Sequence, residues 1–158
     1  QFVPIFLGQA EATNPPRVVT VQKCARAGGK DSDIENIGRT SRHHSFFEML
    51  GNFSFGDYFK KESLEWSWEF LTSMDWLGLD PKMISVTVFA GDENTPCDEE
   101  AIQIWKDIWA KNGLDFGEER IARLPAEDNW WAAGPTGPCG PDSEIFYWIG
   151  EGEPQGNK

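Results

Sequence analysis

Hydrophobic and polar positions along the 158 residues fall into blocks of different period. Residues 18–27 are rich in β-branched and small residues and run into Gly28-Gly29, which predicts a strand. Residues 42–55 are aromatic-rich, end at Gly56-Asp57, and predict a second strand antiparallel to the first. Phe46, Phe47, Met49, Leu50, Phe53 and Phe55 are too apolar for a half-exposed strand, so both of its faces are expected to be covered. The connection between them is long, polar and punctuated by glycine. Connections of that length in compact domains usually carry function or are disordered.

Further along, Leu64, Trp68, Leu71 and Trp76 recur at helical spacing, with Glu62, Glu65 and Glu69 on other faces. This predicts an amphipathic helix over residues 60–77, stopped near Gly78. ISVTVFA at residues 84–90 predicts a strand. Thr95-Pro96 reads as the cap and first position of a helix with Asp98, Glu99 and Glu100 in its first turn. That helix carries Ile102, Trp105, Ile108 and Trp109 and stops at Asn112-Gly113. Residues 118–124 predict a short helical turn before Pro125, and residues 128–150 a strand, a Gly/Pro-rich loop and a strand. Pro4 makes residues 1–8 an irregular or edge element. The expected fold class is α+β: an antiparallel sheet flanked by helices, with further strands expected downstream.

Composition adds limits. The length suits one domain, and eight Trp and eleven Phe supply ample core volume. No stretch has the apolar run needed to span a bilayer, and no secretory signal is visible. Cys24, Cys97 and Cys139 are widely spaced and form no CxxC pair, which fits a reducing, cytoplasmic compartment, an organelle not being excluded. With Gln1 at the start and a polar, Gly-rich run at the end, the chain reads as a fragment of a larger protein. The net charge of −12 argues against a general nucleic-acid surface, but its distribution is uneven. Residues 17–44 hold six Lys/Arg against three acids, a local basic segment on an acidic body.

That segment holds the candidate chemistry. Arg26 and Arg42 sit near the inner ends of the two strands, with His43 and His44 beside the second. Two converging guanidiniums suit a polyphosphate, because the planar fork pairs bidentately with phosphate oxygens. Phe47 lies five residues beyond Arg42, an odd separation that puts the two on opposite strand faces unless a bulge or bend at His43-His44 intervenes. Glu48 is a charge within an apolar run and needs a partner. It either forms a salt bridge with Arg26 or Arg42, or binds the metal-nucleotide, or fixes those arginines.

RAGGK at residues 26–30, RHHSFFEMLGNFSFGDYF at 42–59 and TGPCGPDSEIFY at 136–147 occur in order, and together they resemble the catalytic domain of the alanyl-tRNA synthetases, a family of class II aminoacyl-tRNA synthetases. The likeness runs from QFVPIFLG to Tyr147. It implies a partial aminoacylation domain over residues 1–158, with the editing and C-terminal domains lying outside the chain. It implies activation of alanine by ATP with Mg2+, then transfer to the acceptor stem of tRNA(Ala), and Zn2+ only in parts of the parent protein outside this chain. By the same resemblance Arg26 holds the α-phosphate and the alanine carboxylate, Arg42 and His43 the β/γ end, and Phe47 the adenine. Lys30 lies near the reacting groups, unless it is an ordinary solvated loop lysine. Trp131 lines a small amino-acid pocket, the other reading being core packing. Glu144 accepts from the ligand's amino or hydroxyl groups or pairs with an arginine. Asp142 stands where the family has a second cysteine, Gly134-Pro135 where it often has Gly-Asp, and Asp31 where it often has His. No third class-defining motif is found. Two other readings stay open: a non-catalytic nucleotide- or RNA-binding module on the same scaffold, and a globular domain whose arginines are internal ion-pair partners.

Overall fold

The computed structural model describes residues 2–27 and 33–154. They form two compact units, Glu11–Asp57 and Gln1–Ala10 with Tyr58–Lys158. The fold class is α+β.

The first unit is an antiparallel ribbon of β1 (Arg17–Cys24) and β2 (Phe47–Ser54), in a register that runs from Arg17 opposite Ser54 to Cys24 opposite Phe47. Alternation puts Val18, Thr20 and Cys24 on one face with Phe53, Gly51 and Phe47, and puts Val19, Val21 and Lys23 on the other with Leu50 and Glu48. Gly51 leaves room for its neighbours' side chains, which any larger residue would displace. A Cβ there would lie 2.7 Å from both the Phe53 ring and the Thr20 hydroxyl oxygen. Val19, Val21 and Leu50 are exposed, so the expectation that both faces of β2 are covered is not met. Both strands are also shorter than expected. β1 stops before Arg26, and β2 begins only at Phe47.

The second unit starts with one helical turn, α1 (Val3–Phe6), with Pro4 near its start, where an irregular or edge element was expected. α2 (Lys60–Thr72) ends earlier than the hydrophobic spacing suggests, because Ser73 turns extended and Gly78 takes a positive φ of 60° while its N–H donates to Ser73 O. β3 (Ile84–Phe89) follows, then α3 (Glu99–Lys111), β4 (Ile121–Leu124), β5 (Trp130–Ala132), β6 (Cys139–Pro141) and β7 (Ser143–Tyr147). The cap of α3 is Asp98, whose side chain accepts from Ala101 N, and not Thr95. A carboxylate at the cap answers both the open N–H groups and the helix dipole. Residues 118–124 are only half helical: a 3-10 turn, Glu118–Arg120, leads directly into β4.

β3 is the centre of a three-stranded sheet, parallel to β4 and antiparallel to β7. This sheet is therefore mixed where an antiparallel one was expected. The crossover through α3 permits the parallel pairing, as a βαβ unit does. β5 and β6 form a separate antiparallel pair. The core joins α3 to one face of the mixed sheet. Ala101, Ile102, Trp105, Ile108 and Trp109 form a single helical stripe against Ile84, Val86, Val88 and Ile121, with Trp68 of α2 closing the side. Trp105 donates its indole N–H to Ser143 Oγ at 3.0 Å, and that hydroxyl donates to Thr87 O at 2.7 Å. The opposite face of β3 presents Thr87 and Phe89, and there Trp130 of β5 meets Phe89 at 5.3 Å between ring centroids. Among the described residues no helix is long and apolar enough to cross a membrane.

Candidate functional site

In the first unit Arg26, His43 and Phe47 lie at the open end of the ribbon. Pairing of Cys24 with Phe47 places Phe47 at the mouth. Arg26 is two residues beyond Cys24, so extended chain returns it to the same face. Its guanidinium carbon lies 5.1 Å from the centroid of the Phe47 ring, a cation–π contact. The loop closes on this point. Asp33 N donates to Arg26 O at 3.1 Å, and Asp33 O accepts from Asn36 and Ile37 N–H groups. The Asp33 carboxylate also faces His43 Nε2 at 3.9 Å, while His43 Nδ1 lies 2.5 Å from Thr40 Oγ1. Asp33 and Thr40 thus set the orientation of His43, a role that the sequence alone does not separate from ordinary turn formation.

Arg42 and His43 precede β2, in a bent segment. The strand-parity objection to Arg42 and Phe47 therefore does not apply, since Arg42 is not part of the strand. Arg42 is exposed, and no described carboxylate lies within ion-pair distance of Arg26 or Arg42. Glu48 is exposed on the other face, opposite Lys23, and forms no ion pair with a described residue. An exposed carboxylate pays no desolvation cost, so the need for a partner disappears. Lys30 lies outside the described residues.

In the second unit Glu144 lies on the sheet face away from α3, and Trp131 lies on β5 of the separate β5–β6 pair. Trp131 is the middle residue of β5, half exposed, opposite Gly140 of β6. A Cβ at Gly140 would touch the Trp131 indole nitrogen at 3.8 Å. Glu144 of β7 pairs in register with Thr87 of β3 and has no arginine partner among the described residues. Partial burial, followed by repulsion from Asp142 and Asp128, raises its pKa. Its surroundings thus favour either a proton or a cationic partner on this carboxylate. Asn129 was missed. It is fully buried, and its Nδ2 lies 2.9 Å from Thr87 Oγ1 and 2.8 Å from Asp142 Oδ1. The only trace of it in the sequence is an amide between an acid and a tryptophan pair at a strand start.

Among the described residues no group of three or more His, Cys, Asp or Glu is placed to hold a metal ion.

Comparison with known proteins agrees with the motif pattern. A family model described as tRNA synthetases class II (A) matches residues 1–158. The chain is 51% identical over 154 residues to the alanine--tRNA ligase of Anaeromyxobacter dehalogenans, covering 98% of this chain and 16% of that protein. The same identity and coverage hold for the alanine--tRNA ligase of Myxococcus xanthus. That of Wolbachia pipientis is 51% identical over 147 residues, 93% of this chain and 15% of its own length. The chain spans about one-sixth of the length of these relatives. With the family model matching from end to end, this chain belongs to the class II (A) tRNA synthetases.

Proposed function

We propose that the protein containing this chain activates alanine with ATP and transfers it to tRNA(Ala), and that this chain is a partial catalytic domain. The observation that carries this reading is half-identity along nearly the whole chain to relatives named alanine--tRNA ligase. Activation is attack of the alanine carboxylate on the α-phosphorus of MgATP, with pyrophosphate leaving. Negative charge spreads over phosphoryl oxygens, so catalysis is mostly positioning and cationic stabilisation. Arg26 takes the α-phosphate and the alanine carboxylate. Arg42 and His43 take the β/γ end, and Phe47 the adenine. Lys30 acts near the reacting groups, and Glu48 on the metal-nucleotide or the arginines. Trp131 walls the amino-acid pocket, and Glu144 accepts from the alanine ammonium. The absence of any arginine partner for Glu144 among the described residues favours a ligand over an internal pair.

The acceptor stem of tRNA(Ala) approaches the basic loop between β1 and β2. In the parent, helices flank the sheet to which the strands of this chain belong. Zn2+ serves parts outside this chain, and the protein works in the cytoplasm. A small pocket separates alanine poorly from glycine or serine, since one methyl or hydroxyl contributes little discrimination. Alanine-dependent exchange of labelled pyrophosphate into ATP by the parent protein tests the reading. Exchange with alanine that disappears in folded Arg26→Ala is expected. A protein that binds ATP without any alanine-dependent exchange would instead be a nucleotide-binding module.

A further inference from the structure

We infer that Asn129 is a positioning residue for the amino-acid end of the reaction, anchoring the strand that carries Trp131 onto the sheet face that carries Glu144. This rests on the assignment of Trp131 and Glu144 to the alanine pocket. Trp131 follows Asn129 by two residues along the chain. On the other side, Thr87 stands directly across the ladder from Glu144, and side chains of directly opposed residues share a face. The Asn129 amide donates to Thr87 Oγ1 at 2.9 Å, so it meets the sheet on the Glu144 side. It also donates to Asp142 Oδ1 at 2.8 Å, with Asp142 O at 3.3 Å, two residues before Glu144. Its backbone makes a second tie there, because Asp142 N donates to Asn129 O at 3.2 Å. A third tie, Asn129 N to Pro125 O at 3.0 Å, holds it to the turn that follows β4.

One fully buried residue therefore links both candidate pocket residues to a single point. Its chemistry is specific. The amide NH2 donates to the Asp142 carboxylate and to the threonine oxygen together; a carboxylate in its place would repel Asp142. The amide oxygen is buried with no hydrogen-bond partner among the described residues. Leaving an acceptor unmade is costly, so the side chain is held in this orientation by what its nitrogen binds. The contact also sets the charge around Glu144. Asp142, which raises the Glu144 pKa, is itself held by Asn129.

The test uses pyrophosphate exchange by the full-length parent protein, with KM for alanine, KM for ATP and kcat measured separately. Asn129→Ala is expected to raise KM for alanine about tenfold, with KM for ATP unchanged within about twofold. Thr87→Val should do the same to a smaller degree, and Thr87→Ser, which keeps the hydroxyl, should restore the parent value. Loss of thermal stability with an unchanged alanine KM in folded Asn129→Ala would make the residue merely structural and overturn the inference. If Asn129→Ala does not fold, Thr87→Val against Thr87→Ser decides by the same criterion. Trp131→Ala and Glu144→Gln run alongside. If neither moves the alanine KM, the pocket assignment fails and this inference fails with it. If they move it and Asn129→Ala does not, only the inference fails.

Discussion

At the residue scale, the contact of Arg26 with Phe47 is the feature to perturb first. An exposed cation–π pair contributes about 0.5–1 kcal/mol, too little to hold the ribbon by itself. Phe47→Ala should therefore leave the fold intact while raising KM for ATP about tenfold, the cost of losing one stacking surface. KM for alanine should stay within about twofold, as separate exchange titrations would show. Glu144 makes a second, pH-dependent case. Its pKa is raised, so its neutral form suits the fold: that contribution is full below its ordinary value of 4.5 and is lost as pH rises through the higher folded value. Glu144→Gln should then melt slightly above the parent at neutral pH and lose that advantage at low pH, while binding alanine more weakly. Scanning calorimetry at pH 4 and pH 7 checks the first half, and exchange kinetics the second. Lower melting of the variant at neutral pH would mean that Glu144 has a stabilising partner.

At the element scale, the start of α3 joins a cap to an ion pair. Asp98 accepts from Ala101 N and also from Lys60 Nζ at 2.8 Å, while Glu100 adds a second contact to Lys60 at 2.9 Å. Partial burial works against the lysine charge, but these hydrogen bonds and attractions outweigh it and raise its pKa. The lysine's share of this stabilisation is thus full below 10.5 and is lost as pH rises through the higher folded value. Asp98→Ala should cost about 1–2 kcal/mol in urea unfolding at neutral pH, chiefly through the cap. Thr95→Ala should cost almost nothing. The long elements were legible for plain reasons. The α3 stripe and the β3 run have one period each and one burial environment, so pattern and structure agree. Boundaries were less legible. The sequence between Cys24 and Phe47 keeps its arginines and histidines close to strand-like residues, but local hydrogen bonds through Asp33, Asn36 and Thr40 bend it out of the ladder. The Asn129 contacts were not legible at all, because Thr87 and Asp142 lie 42 and 13 positions away along the chain. The motif strings pointed to Trp131 and Glu144, but not to the Asn129 amide.

At the scale of the whole molecule, burial is concentrated in the second unit. Arg120 is its one charged core residue among those described. It donates to Lys82 O at 2.7 Å and Ile84 O at 3.3 Å, reaches Glu153 at 2.6 Å, and lies 4.8 Å over the Phe116 ring. Breaking so well-partnered a buried cation typically costs about 3–5 kcal/mol, so Arg120→Ala should lose about that much unfolding free energy in a urea titration, and Glu153→Gln far less. The ribbon stands in contrast, with exposed apolar side chains on both strands and its candidate site at one end. The chain spans about one-sixth of its relatives. The most direct test of alanine activation through Arg26 is calorimetric titration of the parent protein with a non-hydrolysable alanyl-adenylate mimic and with MgATP. Arg26→Ala is titrated beside it, with its fold checked by circular dichroism. Binding of the mimic clearly tighter than MgATP, lost in folded Arg26→Ala, is the expected result. Equal binding of the mimic by the parent and by folded Arg26→Ala would contradict the assignment of Arg26 to the reacting phosphate and carboxylate.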